Sequence, residues 1–235
     1  MPKTEVRGRG PSGRKGVFDL ICGARLGEMK GAVDDEWDVR CLWGRFGNRR
    51  GSGEAIGSRG GHRVVIVGRD EMKLEDARTR IVRAAGSEDV QTSSVHATDR
   101  NAVHRFFEKF GPFDHLVLSI TGGKGAGPFG TLKLGDVRKG FEGKFIAQLS
   151  VVQSAQSALR PGGSITLISA VSSRAVIPGT LGLGAINAAL ESTVPHLALE
   201  LAPTRVNGVA PGLIDTPWWN NVSEERRKAI FEQTA

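Results

Sequence analysis

Two apolar stretches of the chain end in turns that could contact a ligand. Ser164–Ser169 follows a Pro-Gly-Gly turn and ends in a hydroxyl side chain, and Arg205–Ala210 leads directly into Pro211-Gly212. Such runs are typical of buried parallel strands, and parallel sheets bind ligands outside the carboxyl ends of their strands. We therefore expect Ser169–Arg174 and Pro211–Trp218 to line a ligand site. A serine alone is a poor proton donor near neutral pH, so other groups must take part in any proton transfer there.

The elements that must position these turns alternate between strands and helices from His62 onward. Asp70 and Asp99 are predicted N-caps of two helices, and Leu190–Leu201 repeats apolar residues at helical spacing. Alternation of this kind predicts an α/β fold with a doubly wound parallel sheet. The predicted strands are His62–Val67, Val90–Val95, Asp114–Ile120, Ser164–Ser169 and Arg205–Ala210.

This part of the chain resembles the short-chain dehydrogenase/reductase family. Arg205–Thr216 reads RVNGVAPGLIDT and matches the family's nicotinamide-contacting loop R-V-N-x-V-x-P-G-x-I-x-T, and Gly162–Ser169 matches its fifth strand. The resemblance covers roughly residues 62–235, about three-quarters of the chain, in order and spacing as well as composition. It implies a Rossmann-like fold and oxidoreductase chemistry with a nicotinamide cofactor.

The catalytic positions depart from the family pattern. The tyrosine position holds Leu183, the lysine position holds Asn187, and the serine position falls on Ala170 beside Ser169; the chain has no tyrosine at all. The helix asparagine of the family's proton relay falls at Lys144. The resemblance therefore implies Ser169, Lys144 and Asn187 as the polar groups nearest the chemistry. A solvent-facing helix lysine is the alternative interpretation of Lys144.

Arg69 follows the second strand, where the family binds the adenosine ribose. An arginine there can pair with the 2′-phosphate of NADP, so NADP is expected over NAD; a surface arginine capping the next helix is the alternative. Gly122 and Gly123 follow the fourth strand and allow close approach of backbone to a ribose. The cofactor-binding residues that the resemblance implies are Arg69, Gly122, Gly123, Pro211, Gly212, Ile214 and Thr216.

Residues 1–61 form an aberrant Gly/Arg-rich segment ahead of the Rossmann-like domain, residues 62–235. The nearest match to a phosphate-binding turn, Gly51-x-Gly53-x-x-x-Gly57, is off the family pattern. Two interpretations stay open: a linker, or translation from a shifted reading frame relative to an ancestral enzyme, which the gene sequence would test. Val39–Trp43 is the candidate for the central first strand, and the family's closing strand is expected to be missing after Ala235.

Bulk composition limits the remaining function classes. The chain has 235 residues, 39% apolar content and a net charge of +7 that is dispersed along it, so nucleic-acid binding is unlikely as the main function. Cys22 and Cys41 lack metal-ligand spacing and suggest a reducing compartment. No apolar run approaches the ~18 residues of a membrane helix. We expect a cytoplasmic protein that binds neither a metal nor a membrane.

These observations favour NADP-linked carbonyl or alcohol redox chemistry on a small-molecule substrate. The alternative is a non-catalytic nucleotide-binding or interaction domain derived from the same family. The missing tyrosine and lysine favour the alternative, whereas the retained Pro211–Thr216 loop favours the enzyme. A homo-oligomer is expected only by analogy with the family.

Overall fold

The computed structural model describes residues 40–45, 62–85, 90–121, 123–212 and 223–225. Within these ranges one six-stranded sheet has the strand order β3-β2-β1-β4-β5-β6. The strands are β1 (Arg40–Arg45), β2 (His62–Gly68), β3 (Val90–Ser94), β4 (Phe113–Leu118), β5 (Leu159–Ile168) and β6 (Arg205–Val209). The helices are α1 (Glu71–Ala85), α2 (Arg100–Phe110), α3 (Leu134–Gly140), a π-helical turn (Phe141–Ile146), α4 (Ala147–Ala155) and α5 (Leu181–Glu200), with short 3₁₀ turns at Phe129–Thr131 and Val171–Ser173.

The predicted α/β sheet is confirmed, and its central strand has a direction that the sequence did not predict. β2 pairs in parallel with β3, and β4 pairs in parallel with β5, which pairs in parallel with β6. β1 occupies the predicted place between β2 and β4 but runs antiparallel to both. Its carboxyl end, Arg45, therefore pairs with His62 at the start of β2, at the edge of the sheet opposite to Arg69.

The helices begin where the sequence places their caps. The Asp99 side chain accepts a hydrogen bond of 2.9 Å from the amide of Ala102 at the start of α2. Asp70 accepts one of 3.1 Å from the amide of Lys73 at the start of α1. Each carboxylate satisfies an amide that has no partner within its helix, and each fixes the direction in which the chain leaves the sheet.

The main core lies between the sheet and the helices α2, α4 and α5. The predicted apolar face of α2 packs here, with Val103 and Phe107 buried and Phe106 and Phe110 against them. A second, smaller cluster packs α1 on the other part of the sheet through Leu74 and Ala77. These two clusters hold the strands so that β2, β4, β5 and β6 end at one common edge.

Candidate active site

The candidate site lies at the carboxyl ends of the parallel strands. The segment after β5 is joined to the segment after β6 by two backbone hydrogen bonds of 2.8 Å, from the Ser169 amide to the Val209 carbonyl and from the Val171 amide to the Pro211 carbonyl. These bonds continue the β5–β6 ladder beyond the strands themselves. Ser169, Pro211 and Gly212, three residues of the sequence prediction, therefore lie side by side at this edge.

Lys144 brings an amine to the same edge. It belongs to the π-helical turn between α3 and α4, and its Nζ donates a hydrogen bond of 3.3 Å to the Ser169 carbonyl. Burial lowers the pKa of the Lys144 amine from 10.5 to about 8, because the ammonium loses its hydration there. Lys144 is partly buried against the strand end, which rules out the interpretation as a solvent-facing helix lysine.

The Ser169 hydroxyl is engaged by a carboxylate that the sequence analysis did not identify. Ser169 is 5% exposed, and its Oγ donates to Oε1 of Glu191 on α5 over 2.8 Å. Its carbonyl holds Lys144, so backbone and side chain of this one residue join two helices. Ser169 and Lys144 are thus brought together through the backbone carbonyl of the serine and not through its hydroxyl.

Asn187 lies on α5, one turn before Glu191, and its side chain bonds to a different residue of the segment after β5. It is 4% exposed, and its Nδ2 donates to the Ser172 hydroxyl over 2.9 Å. Its Oδ1 is buried and has no hydrogen-bond partner among the described residues. A buried acceptor without a donor is costly, and because this oxygen has almost no accessible surface it suits an internal water molecule.

Gln148 on α4 is a second residue that the sequence analysis missed. It is fully buried, and its Nε2 donates to the carbonyls of Ile120 and Ile168 over 3.3 Å and 3.4 Å, just beyond β4 and at the end of β5. Gln148 and Lys144 lie one helical turn apart and both face the strand ends. This spacing is the sequence signal that could have identified Gln148. Glu191 follows Asn187 at the same spacing on α5.

The glycine-rich segment after β4 covers one side of the site. Gly123 has a backbone φ of +58°, a conformation that L side chains rarely adopt, and an added Cβ there would meet open space. The amide of Gly127 donates to the carbonyl of Gly179 over 2.8 Å, which joins this segment to the chain ahead of α5. Gly122, Ile214 and Thr216 lie outside the described residues.

Arg69 is exposed at the end of β2, and the Asp70 that follows it caps α1. Arg69 therefore lies at the same sheet edge as Ser169 and Pro211, at the position where the resemblance implies adenosine binding. The open backbone at Gly123 suits close approach of a ribose. The residues present fit the two nucleoside ends of a nicotinamide dinucleotide. Gly51–Gly57, the nearest match to a phosphate-binding turn although off the family pattern, lies outside the described ranges.

The described part of the chain contains no group of three or more His, Cys, Asp or Glu side chains placed to hold a metal ion. None of the helices described is long and apolar enough to cross a membrane.

Comparison with known proteins identifies relatives along most of the chain. Residues 50–235 match the family model described as enoyl-(acyl carrier protein) reductase. The chain is 28% identical over 164 residues to the peroxisomal 2,4-dienoyl-CoA reductase of Saccharomyces cerevisiae, covering 66% of this chain and 56% of that protein. It is 30% identical over 154 residues to the enoyl-acyl-carrier-protein reductase (NADH) FabI of Enterococcus faecalis, covering 62% and 57%. The chain thus spans a little over half the length of these two relatives.

Solved structures show the same likeness. The fold matches that of a small-chain dehydrogenase in complex with NADPH at 34% identity and a TM-score of 0.56, covering 62% of this chain and 68% of that one. It also matches the citronellol catabolism dehydrogenase of Pseudomonas aeruginosa at 26% identity and a TM-score of 0.56, covering 63% and 62%.

Proposed function

Because the chain belongs to the short-chain dehydrogenase/reductase family, we propose that it is an NADP-linked oxidoreductase that interconverts a carbonyl group and an alcohol. The observation that carries this proposal is the Lys144 amine, which lies at the ligand-binding edge of the sheet against the Ser169 carbonyl. The family's usual tyrosine acid is absent because the chain has no tyrosine. Lys144 supplies an acid of a different type near the same strand end.

The dinucleotide would be held from both ends by residues at this edge. Arg69 suits the 2′-phosphate of NADP, since a guanidinium binds phosphate through paired, charge-assisted hydrogen bonds. Gly123, Pro211 and Gly212 suit the ribose and nicotinamide end. A bound dinucleotide supplies the hydride of the reaction. The solved neighbour in complex with NADPH supports NADP, whereas the name of the Enterococcus relative specifies NADH.

Lys144 would supply the proton. With a pKa of about 8 its amine is still about nine-tenths protonated at pH 7, yet it releases a proton far more readily than an ordinary lysine. In the direction of reduction, Nζ protonates the substrate oxygen as the alcohol forms. In the direction of oxidation, the neutral amine takes the proton back.

Ser169 and Asn187 would take part without transferring protons. The Ser169 hydroxyl donates to Glu191, and its carbonyl orients the Lys144 amine. Asn187 cannot replace the family's lysine as a cation, and its amide nitrogen already donates to Ser172. Its role would be to hold the Ser172 hydroxyl in the segment that follows β5.

A non-catalytic nucleotide-binding domain is the second candidate. The observation that favours it concerns the usual catalytic positions. The side chains of Asn187 and Ser169 are already hydrogen-bonded to neighbouring side chains, and Leu183 has no ionisable group that could transfer a proton. Two relatives are named as reductases of enoyl or dienoyl thioesters. A substrate screen should therefore contain 2-enoyl thioesters as well as aldehydes and ketones.

Fluorescence titration of the purified chain with NADPH and with NADH tests the cofactor site. We expect Arg69→Asp to weaken NADPH binding by about tenfold or more and to leave NADH binding nearly unchanged, because only NADPH carries the 2′-phosphate. Arg105→Asp, at an exposed position on α2, is the control for the change in net charge. Equal losses for both cofactors would contradict the assignment of Arg69. A folded chain that binds neither cofactor would exclude the enzyme.

A further inference from the structure

Glu191 holds the segment that follows β5 by four hydrogen bonds. Its Oε1 accepts from the hydroxyls of Ser169 and Ser173 over 2.8 Å and 2.6 Å. Its Oε2 accepts from Nη2 and Nε of Arg174 over 2.8 Å and 3.0 Å. We call this set, Glu191 with Ser169, Ser173 and Arg174, the Glu191 clasp. It joins the middle of α5 to the first and last residues of the segment Ser169–Arg174.

The clasp is built to keep Glu191 ionised. Burial raises the pKa of the Glu191 carboxyl, but the hydrogen bonds from Ser173, Ser169 and Arg174 together with the charge of Arg174 lower it further, so the net shift is downward. The Glu191 side chain is 18% exposed and that of Arg174 is 75% exposed. The carboxylate is therefore sheltered, and the arginine closes the clasp from the solvent side.

The clasp and the Lys144 amine meet at one residue. The Ser169 side chain is bound by Glu191, and the Ser169 carbonyl accepts the Lys144 hydrogen bond of 3.3 Å. Release of Ser169, Ser173 and Arg174 from Glu191 would free the backbone segment that begins at Ser169 to shift, and with it the carbonyl that accepts from Lys144. Gln148 and Val209 also hold this strand end without a charge: Gln148 donates to the Ile168 carbonyl, and the Val209 carbonyl accepts from the Ser169 amide over 2.8 Å and from its hydroxyl over 3.2 Å. The Ser169 hydroxyl is closer to Glu191, at 2.8 Å.

We propose that Glu191 is a positioning residue of the candidate active site, which fixes the Ser169 carbonyl and thereby keeps the Lys144 amine in place and shielded from water. This inference rests on the proposed function only in treating Lys144 as the acid. The position and shielding of the amine can be measured without turnover. Burial alone accounts for the lowered pKa of the Lys144 amine, so loss of shielding should raise that pKa.

Competitive acetylation with acetic anhydride, read by peptide mass spectrometry, measures the titration midpoint of each lysine. A range of about pH 6 to 11 covers both the lowered pKa of Lys144 and that of an ordinary lysine. Lys139, exposed at the end of α3, serves as an internal reference in every sample. In the unmodified chain we expect the Lys144 midpoint near the lowered value of about 8. A Lys144 midpoint equal to that of Lys139 would overturn the inference at once.

The decisive comparison is between Glu191→Gln and Glu200→Gln, an exposed position on the same helix. The glutamine side chain keeps one oxygen that can accept a hydrogen bond. It has no negative charge, and it loses the oxygen that accepts from Nε and Nη2 of Arg174. We expect Glu191→Gln to raise the Lys144 midpoint by about one pH unit or more, and Glu200→Gln to leave it unchanged. An unchanged Lys144 midpoint in folded Glu191→Gln protein would refute the positioning role, since a purely structural role would alter the melting temperature alone.

Two milder variants keep the test valid if Glu191→Gln fails to fold. Ser173→Ala and Arg174→Gln each remove one partner of the clasp and leave the carboxylate in place. Each should raise the Lys144 midpoint by a smaller amount, and no change in either variant would overturn the proposal. If the chain binds no NADPH and shows no turnover while the midpoint still depends on Glu191, the proposed function fails and the clasp stands.

Discussion

Replacement of Lys144 by methionine should stabilise the protein and impair its chemistry, because both effects arise from the same buried ammonium. Methionine has similar length and no charge, so it can occupy the space beside Ser169. A pKa lowered from 10.5 to about 8 means that folding costs about 3 kcal/mol while the amine is protonated. Loss of the hydrogen bond to Ser169 offsets about 1 kcal/mol of that gain. We expect Lys144→Met to raise the free energy of unfolding at pH 7 by about 2 kcal/mol.

The size of this effect depends on pH in a defined way. The folded-state pKa lies below the unfolded one, so the unfolded chain binds more protons between about pH 8 and pH 10.5. The cost is therefore fully present below about pH 8 and disappears as the pH rises towards 10.5. Urea unfolding followed by circular dichroism should show the advantage of Lys144→Met at pH 7 and none at pH 10.

The catalytic effect has its own pH signature. Between pH 7 and pH 9 the protonated fraction of Lys144 falls about tenfold, so carbonyl reduction should slow and alcohol oxidation should accelerate by about that factor. Lys144→Met should lower both rates by about a hundredfold or more. NADPH absorbance at saturating cofactor measures both directions.

Lys139→Met, at an exposed position, is the matched control and should change neither stability nor rate appreciably. The reasoning fails if Lys144→Met is less stable than the unmodified chain at pH 7. It also fails if an active chain keeps its reduction rate after the replacement, since Lys144 would then not be the acid.

Three further substitutions test the packing and capping that position the site. Gly140→Ala should cost about 1–3 kcal/mol, because an added Cβ would lie 2.5 Å from the Lys124 carbonyl oxygen, and the melting temperature should fall. Gly135→Ala, with nothing within 4 Å of the added Cβ, should instead raise the free energy of unfolding by about 0.5–1 kcal/mol and the melting temperature with it. A fall in the melting temperature of both variants would contradict this explanation. Asp99→Ala should cost about 1 kcal/mol through the lost cap of α2, and an unchanged urea midpoint would show that the cap does not stabilise the helix.

The features that could be predicted from the sequence depend on local patterns. The caps Asp70 and Asp99 and the apolar face of α2 follow from residues close together in the chain, and all three are confirmed. The placing of Ser169 and Pro211 at one edge follows from the rule that parallel strands end on the same side. Only the order of strands and helices is needed for that rule.

The features that escaped prediction depend on contacts between distant segments. The alternation of side chains along a strand reads the same in both directions, so the run around Arg40–Arg45 does not reveal that β1 is antiparallel. The inward direction of Lys144 depends on a π-helical turn, which shifts the helical register without a sequence signal. Glu191 became part of the site only because α5 packs beneath the segment after β5.

β1 is the strand that connects the two halves of the sheet. β2 with β3 forms one ladder and β4 with β5 and β6 forms another, and in the described part of the chain every backbone pairing between the two ladders passes through β1. Withdrawal of this one strand would leave two smaller sheets with newly exposed edges, each able to pair with a foreign strand. Residues 40–45 therefore supply the backbone pairing between the two ladders, which otherwise share only a side-chain core, and they also cover strand edges that could mediate self-association.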